Sequence, residues 1–385
     1  MKILLIGEYS GLHNSLKDGL QLNGHTVTLL GTGDGFKKYP VDILIKSTFF
    51  EIPIFKFIAK IIDKIFKVSL NDIEIGIKTF FKIKKLKGFD IVQLVNENSF
   101  KTTPILEIKL IKIIKKNNKN IFLLSCGTDF KSIQYALNKN FRYSILTPYF
   151  NNKKLKNSYR HILKYNNKHF KNLHEYIYKN IKGVISSDLD YHIPLKEEIK
   201  YLGMIPNPIN LSKIKYNKLK IDGEIIIFHG INIKNSIKKG NNYFQKSMKI
   251  IKELHGNKIK YIEVKNLNYN DYVKSYDSCH IFLDQVYAYD QGYNALEAMA
   301  KGKVVFTGAE KEWLDHYNLI EDSIAINALP ETNYLVNKLT DLINNPEKIE
   351  SISVNARKFI ENHHDFKSIA SIYEDKWLKA LKNEK

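Results

Sequence analysis

The stretch Asp284–Gly308 (DQVYAYDQGYNALEAMAKGKVVFTG) holds the densest set of groups that could handle a substrate. A strand pattern ends near Leu283, a polar loop carrying Gly292 follows, and a helix of small residues starts near Asn294. A glycine beside a helix start leaves backbone N–H groups open, an arrangement suited to phosphate. Glu297, in the first turn, could accept from two vicinal hydroxyls of a ribose. Asn294-x-x-Glu297 is also the spacing of a capping box, in which the carboxylate only satisfies a backbone N–H. Spacing alone favours the cap.

Other reactive residue types are sparse. Ser125-Cys126-Gly127-Thr128-Asp129 follows an apolar run, and a cysteine at a strand end could serve as nucleophile. No His/Asn constellation surrounds it in sequence, so a structural thiol is the expectation. Asp129 in such a loop is a turn or N-cap type by position. The loop Gly7-Glu8-Tyr9-Ser10-Gly11 departs from G-x-G-x-x-G and gives no nicotinamide site. No H-E-x-x-H occurs, so no metal and no other cofactor is expected. Two cysteines, Cys126 and Cys279, exclude a disulfide framework.

The elements that must carry these groups form an alternating pattern. Lys2–Ile6, the Gly7–Gly11 loop, a helix over Leu12–Leu22 and a strand over His25–Leu30 make one unit of a parallel sheet. Strand runs recur at Asp90–Val95, Ile121–Ser125 and Gly183–Ser187, with a helix over Ile105–Lys116. The second half repeats the alternation, with strands at Glu224–Phe228, Lys258–Val264, His280–Leu283 and Lys303–Thr307. Its helices fall at Tyr243–Leu254, Asn270–Ser278, Asn294–Lys301 and Thr332–Asn344, and a last one covers Phe366–Leu381. Between the halves, Ile205-Pro206-Asn207-Pro208-Ile209 excludes helix. A chain of 385 residues is too long for one compact core. The expected division is 1–205, 206–365 and a terminal helix 366–385. Two doubly wound α/β domains would hold ligand between the carboxyl ends of their strands.

The motif LEAMAKGKVVFTG resembles the donor site of the family-4 (group 1) retaining glycosyltransferases, which have the two-Rossmann GT-B architecture. Leu296, Glu297, Ala298, Met299, Ala300, Gly302 and Val304-Val305 match, and Gly292 stands at the family's loop glycine. The resemblance implies that Glu297 holds the ribose of a nucleotide-diphosphate sugar, beside Tyr293 and Asn294. The family's first glutamate falls on Tyr289, which puts Asp290 forward as the group meeting the donor sugar. Gly230 and Lys239-Gly240 match a Gly-Arg and Lys-Gly pair, with Ile231 in the arginine's place. Diphosphate neutralisation then falls to Lys239, helped by Lys234 or Lys238. Residues 125–129 resemble a His-Gly-Thr-Asp loop against the transferred sugar, with Cys126 at the histidine. This implies Gly127 and Thr128 at the substrate and Asp129 as a catalytic polar group. Gly7, Tyr9, Ser10 and Gly11 resemble the first glycine loop, near donor phosphate and acceptor. Pro206–Pro208 resembles the interdomain segment, and Asn345–Ile360 the late helix with an Ala-Arg pair. The family's retention implies attack on the face the leaving group departs from, with no side-chain nucleophile.

Charge adds a direction. The net charge is +20, of which residues 1–210 carry +17 (34 basic, 17 acidic) and 211–385 carry +3 (26 and 23). Such asymmetry points to an anionic partner on the first half. Arginines number three against 57 lysines, which argues against sequence-specific nucleic-acid reading. Pro53–Lys67 (PIFKFIAKIIDKIFK) sets a wide apolar face beside lysines, the pattern of an interfacial membrane helix or of a core helix with a solvated side. No signal peptide or membrane span is read. The expectation is a cytoplasmic, peripherally membrane-associated glycosyltransferase acting on a glycan or lipid-linked acceptor. The rivals are a nucleotide-sugar epimerase of the same fold and a non-catalytic basic binding module for membrane or nucleic acid.

Overall fold

The structure, a computed structural model, describes residues 1–66 and 68–382. Lys67 and the last three residues of the expected terminal helix lie outside the described residues. Seven strands form the first sheet: β1 (Lys2–Ile6), β2 (Thr26–Gly31), β3 (Ile43–Leu44), β4 (Ile91–Leu94), β5 (Ile121–Ser125), β6 (Gly183–Ser186) and β7 (Tyr201–Met204). Five form the second: β8 (Ile225–Ile231), β9 (Ile259–Lys265), β10 (Ile281–Leu283), β11 (Val304–Thr307) and β12 (Ile326–Asn327). Both are parallel throughout, ordered β3-β2-β1-β4-β5-β6-β7 and β12-β11-β10-β8-β9. Inner strands such as β1, from Ile3 to Ile6, and β11, from Val304 to Phe306, are continuous buried apolar runs because helices cover both faces. The expected strands fall within a residue or two of those observed, apart from β8, which runs on to Ile231. Two-residue β3 and β12, and β7 with its Gly203, carried no pattern long enough to read.

The order of each sheet reverses at one place. In the first the chain turns from β1 to β2 and β3 and then restarts on the other side at β4. In the second it reverses between β8 and β10. At such a switch point neighbouring loops diverge at the carboxyl ends of the strands and leave a crevice.

Two chain segments cross between the sheets, and they pair with each other. Ile209 N–H donates to the His364 carbonyl at 2.7 Å, and Phe366 N–H to the Ile209 carbonyl at 3.2 Å. The helix Phe366–Lys382 then packs back on Leu12–Leu22 of the first sheet. Buried Tyr373 and Trp377 join its core, and the Trp377 indole donates to Gln93 on β4 at 3.1 Å. The two helices approach at Gly19, where a Cβ would stand 2.3 Å from the Phe366 carbonyl oxygen. Any side chain there would force the helices apart.

On the other flank the sheets meet through charge. Arg142 reaches Glu310 and Glu312, each at 2.6 Å, and its N–H donates to the Tyr289 hydroxyl at 2.8 Å. Nearby, Asp188 and Asp190 from the end of β6 face Asp290 across a cavity of about 230 Å³. Burial raises all three carboxyls, and their mutual repulsion raises Asp188 and Asp190 further; Asp290 is pushed up to about 6. A carboxyl raised by folding holds its proton longer in the native state, so its contribution is full below about pH 4 and is lost as pH rises through about 6. Buried His13, His229 and His364, held near 4, act in the opposite direction, so the difference between variants is the clean observable. Asp190→Asn keeps an acceptor for the Tyr289 N–H and removes one charge. Its stability relative to the parent should improve between pH 4 and 7 by about 1–3 kcal/mol, at about 1.4 kcal/mol per pKa unit. Denaturant melts at both ends of that range check it; a pH-independent difference would show the cluster to be solvated.

Candidate active site at the facing switch points

The carboxyl ends of the two sheets face each other, and a cavity of about 390 Å³ lies between their switch points. Ser10, Asp34 and Lys37 line it from the first sheet; Gly230, Lys239, Asp284, Gly292, Tyr293 and Asn294 line it from the second. Asp284 follows β10 and is 3% exposed, and its Oδ1 accepts from Lys239 Nζ at 2.6 Å. The lysine head is thereby aimed into the cleft rather than left free in water. Gly240 behind it sits at φ +69°, with space for no Cβ because Val286 lies 2.1 Å away. That is the physical need behind the Lys-Gly pair. Ile231 is buried at 5% exposure and brings no cation. Lys234 is exposed and outside the cavity lining, whereas burial lowers the Lys238 ammonium beside Lys239.

The helix Tyr293–Ala300 starts on Gly292, and no side chain caps it. Its first turn therefore opens toward the cavity, as a phosphate would require. Asn294 is inside the helix, so the capping-box alternative for Glu297 does not hold. The Glu297 carboxylate instead accepts from the Tyr269 hydroxyl at 2.9 Å. It faces a second cavity of about 630 Å³ that shares Tyr269 and Tyr293 with the first. Burial raises its carboxyl, while Tyr269 and Lys37 pull it back toward the ionised form. The Tyr293 hydroxyl donates to the Pro208 carbonyl at 2.9 Å and lies 2.8 Å from Ser15 Oγ. One side chain thus ties the helix start to the linker and to the first sheet.

The loop after β1 is differently employed from the expectation. Gly7 donates to the Leu30 carbonyl at 2.7 Å and its own carbonyl takes the His13 ring N–H at 2.7 Å. A Cβ at Gly7 would meet Val95 at 2.3 Å, so this residue shapes the loop and is enclosed. The Glu8 carboxylate accepts from Gly11 N–H at 2.8 Å and Asn14 N–H at 2.9 Å. It occupies the anion position at the first helix start, and its carboxyl is pushed up to about 7 by burial. No phosphate can share those amides. Gly11 lines the second cavity, while Ser10, with φ 56°, is the loop's member in the first. Tyr9 lies under Lys101 Nζ, 3.6 Å from the ring centre, and over Gly127.

Asp129, expected as a catalytic polar group, is engaged in the fold instead. It caps the helix Phe130–Leu137 through Ser132 N–H at 2.7 Å, and its other oxygen accepts from Ser125 Oγ. At 1% exposure, with both oxygens engaged, it is a structural cap. Asp290 accepts from Leu189 N–H at 3.1 Å and Gln291 N–H at 2.7 Å, and lines the 230 Å³ cavity with Thr128 rather than the 390 Å³ one. The two cavities share Gln285 and Gly292. Burial raises the Cys126 thiol well above its ordinary range, as does Asp188, which removes the thiolate a nucleophile needs.

Sequence reasoning missed Lys37 and Asp284. Lys37 donates to Ser10 Oγ at 3.0 Å and stands 5.8 and 5.7 Å from the Tyr39 and Tyr269 ring centres. Burial lowers its ammonium, Asp34 and Glu297 offset part of that, and Lys239 across the cleft adds to the lowering. Nothing local marks it among 57 lysines; only the fold brings it opposite Lys239.

Residues 242–375 match the family described as glycosyl transferase-like. Among solved structures, a sucrose-phosphate synthase from Thermosynechococcus elongatus aligns over the whole of both chains at 13% identity, with a TM-score of 0.63. HepE from Anabaena, solved with UDP-glucose, aligns over the whole of both chains at 13% identity and 0.58. A UDP-GlcNAc 2-epimerase from Neisseria meningitidis covers 98% of this chain and all of its own at 14% and 0.51. No curated protein sequence matches. The chain has the GT-B fold and is similar to the group 1 glycosyltransferases, with the family match carried by its second half.

Proposed function

We propose that the protein is a retaining glycosyltransferase that moves a sugar from a nucleotide-diphosphate sugar to a glycan or lipid-linked acceptor. The observation that carries this reading is the pair of facing switch points, with Lys239 and an uncapped helix start on one side and Lys37 on the other. The diphosphate would lie on the amides after Gly292 between these two ammonium groups. Glu297 would take the ribose after displacing the Tyr269 hydroxyl. The bond from the sugar's anomeric carbon to phosphate oxygen breaks, and an acceptor hydroxyl bonds to that carbon on the same face. Its proton passes to the departing phosphate, whose charge the two lysines and the helix dipole stabilise. The acceptor would enter over Tyr9, Gly127 and Thr128. HepE crystallised with UDP-glucose, and a TarM structure with alpha-GlcNAc-glycerol and UDP, support this class of donor and acceptor. The division at 205 and 365, a cytoplasmic site of action and a peripheral contact with an anionic membrane surface belong to the same reading.

Three experiments test it. Glu297→Gln should fold normally, since an amide oxygen still accepts from Tyr269, yet weaken nucleotide-sugar binding about tenfold. Unchanged donor affinity in calorimetry would leave Glu297 a partner of Tyr269 alone.

The family arginine missing at Ile231 predicts a rescue. Lys37→Ala should reduce affinity for a panel of nucleoside diphosphates by about 10–100-fold, matching the 1.5–3 kcal/mol of a hydrogen bond to a charged group. Adding Ile231→Arg to that variant should restore part of the loss. Equal affinity of parent and Lys37→Ala would remove Lys37 from the donor site.

Cys126→Ser should keep most turnover, because no thiolate takes part. A glycosylated Cys126 trapped on the intact protein, with turnover lost in the serine variant, would establish a covalent route in its place.

A further inference from the structure

The helix Pro53–Phe66 turns most of its apolar residues away from the molecule. Only Ala59 of the helix is buried. Ile54, Phe57, Ile61 and Ile65 are 72, 66, 42 and 63% exposed and, at spacings of three and four, lie along one stripe. The next helix, Leu70–Ile83, packs against it and adds Ile77 and Phe81, also exposed. A core helix buries such a stripe; this one offers it to a partner.

The flank of the same helix carries the opposite chemistry. Lys56 and Lys60 line a cavity of about 460 Å³ whose far wall is Arg160, His161 and Lys164. The one carboxylate in the lining, Asp63, pairs with Arg160, and Glu51 lies 2.6 Å from Lys56. Burial and Lys164 disfavour a charge on His161. Four cations therefore meet two acids, Asp63 in the lining and Glu51 beside Lys56, around a recess that also presents the polar side chains of Ser69 and Asn71.

We propose that this face docks on an anionic bilayer, the stripe entering the acyl boundary while the recess takes the phosphate of a lipid headgroup. An interfacial helix lies with its axis near headgroup level, so lysines on its flank meet phosphate while the stripe meets hydrocarbon. Charge decides between a bilayer and a second copy of the chain. A self-pair would set this basic face against itself on a half carrying +17, whereas an anionic leaflet complements it. The inference rests on the membrane contact proposed above, and not on the donor chemistry. It adds which surface touches and what the recess recognises.

The test is sedimentation of the full chain with phosphatidylcholine vesicles, with and without 30% phosphatidylglycerol, at low and high salt. The parent should bind the anionic vesicles at least tenfold more tightly and be released by salt. Phe57→Ser with Ile61→Ser should abolish binding to both. Lys60→Gln with Lys164→Gln should remove most of the phosphatidylglycerol preference. The equal-charge control, Lys85→Gln with Lys87→Gln on the exposed turn after Ile83, should leave that preference largely intact. Equal losses from both lysine pairs would mean smeared charge and no headgroup site. Absence of binding, or a dimer that Phe57→Ser dissolves, would overturn the bilayer as occupant. Donor hydrolysis in solution by the serine pair, at the parent rate, separates failure of this surface from failure of the transferase reading.

Discussion

The close passage of the terminal helix over Leu12–Leu22 governs the geometry of the cleft. Two independent crossings, 205–209 and 364–366, hold to each other by backbone hydrogen bonds. The second continues into a helix that can reach the first sheet only because Gly19 has no side chain. A single tether would leave two sheets free to swing. Paired tethers, with a buried tryptophan anchored on β4, leave a short hinge and a defined facing of the strand ends. Every distance across the cleft depends on that closure.

Inside the cleft, electrostatics are set by burial. Lys239 and Asp284 form a pair whose acid is almost fully enclosed, and such pairs contribute little net stability once desolvation is counted. Their effect is positional, since Asp284 fixes where the ammonium points. Lys37 balances it from the opposite sheet, held by Ser10 and the Tyr39 and Tyr269 rings. The lining sets these two ammonium groups against Asp34 and Asp284, and Asp284 is already engaged by Lys239. Glu8 shows the same logic in a finished state: its carboxylate already occupies the amides at the first helix start. That helix is thereby closed to phosphate, while Gly292 leaves its counterpart open.

Residues of one motif can divide between structure and chemistry. In the loop 125–129 the aspartate caps a helix and the cysteine is a half-buried thiol whose ionisation its surroundings oppose, while Thr128 lines a cavity. In Gly7–Gly11 the glycines bend the backbone and Ser10 alone reaches the main cavity. The same division separates the helix Pro53–Phe66 from its neighbours. Its apolar period is that of any packed helix, yet only Ala59 of it is buried. Among the described residues no helix is long and apolar enough to cross a membrane.

Periodicity and turn chemistry were enough to read the architecture from the chain. Buried parallel strands are continuous apolar runs, and Pro206 with Pro208 forbids helix between the halves. The glycine-led helix start at 292–300 was equally legible, because a glycine there and the small residues behind it are local demands of backbone geometry. Charge asymmetry needed only counting. Tertiary structure decided what spacing cannot encode. Whether Glu297 caps its own helix depends on Tyr269, 28 residues earlier, and whether Lys37 faces Lys239 depends on closure of the two sheets. The amphipathic segment made the same point, since a helical wheel gives the angle of its apolar face and only neighbouring elements determine whether that face meets core or solvent. Local sequence sets dihedral preferences and periodicity. Contacts between residues far apart in the chain, and the burial that shifts their charges, exist only once the sheets have packed.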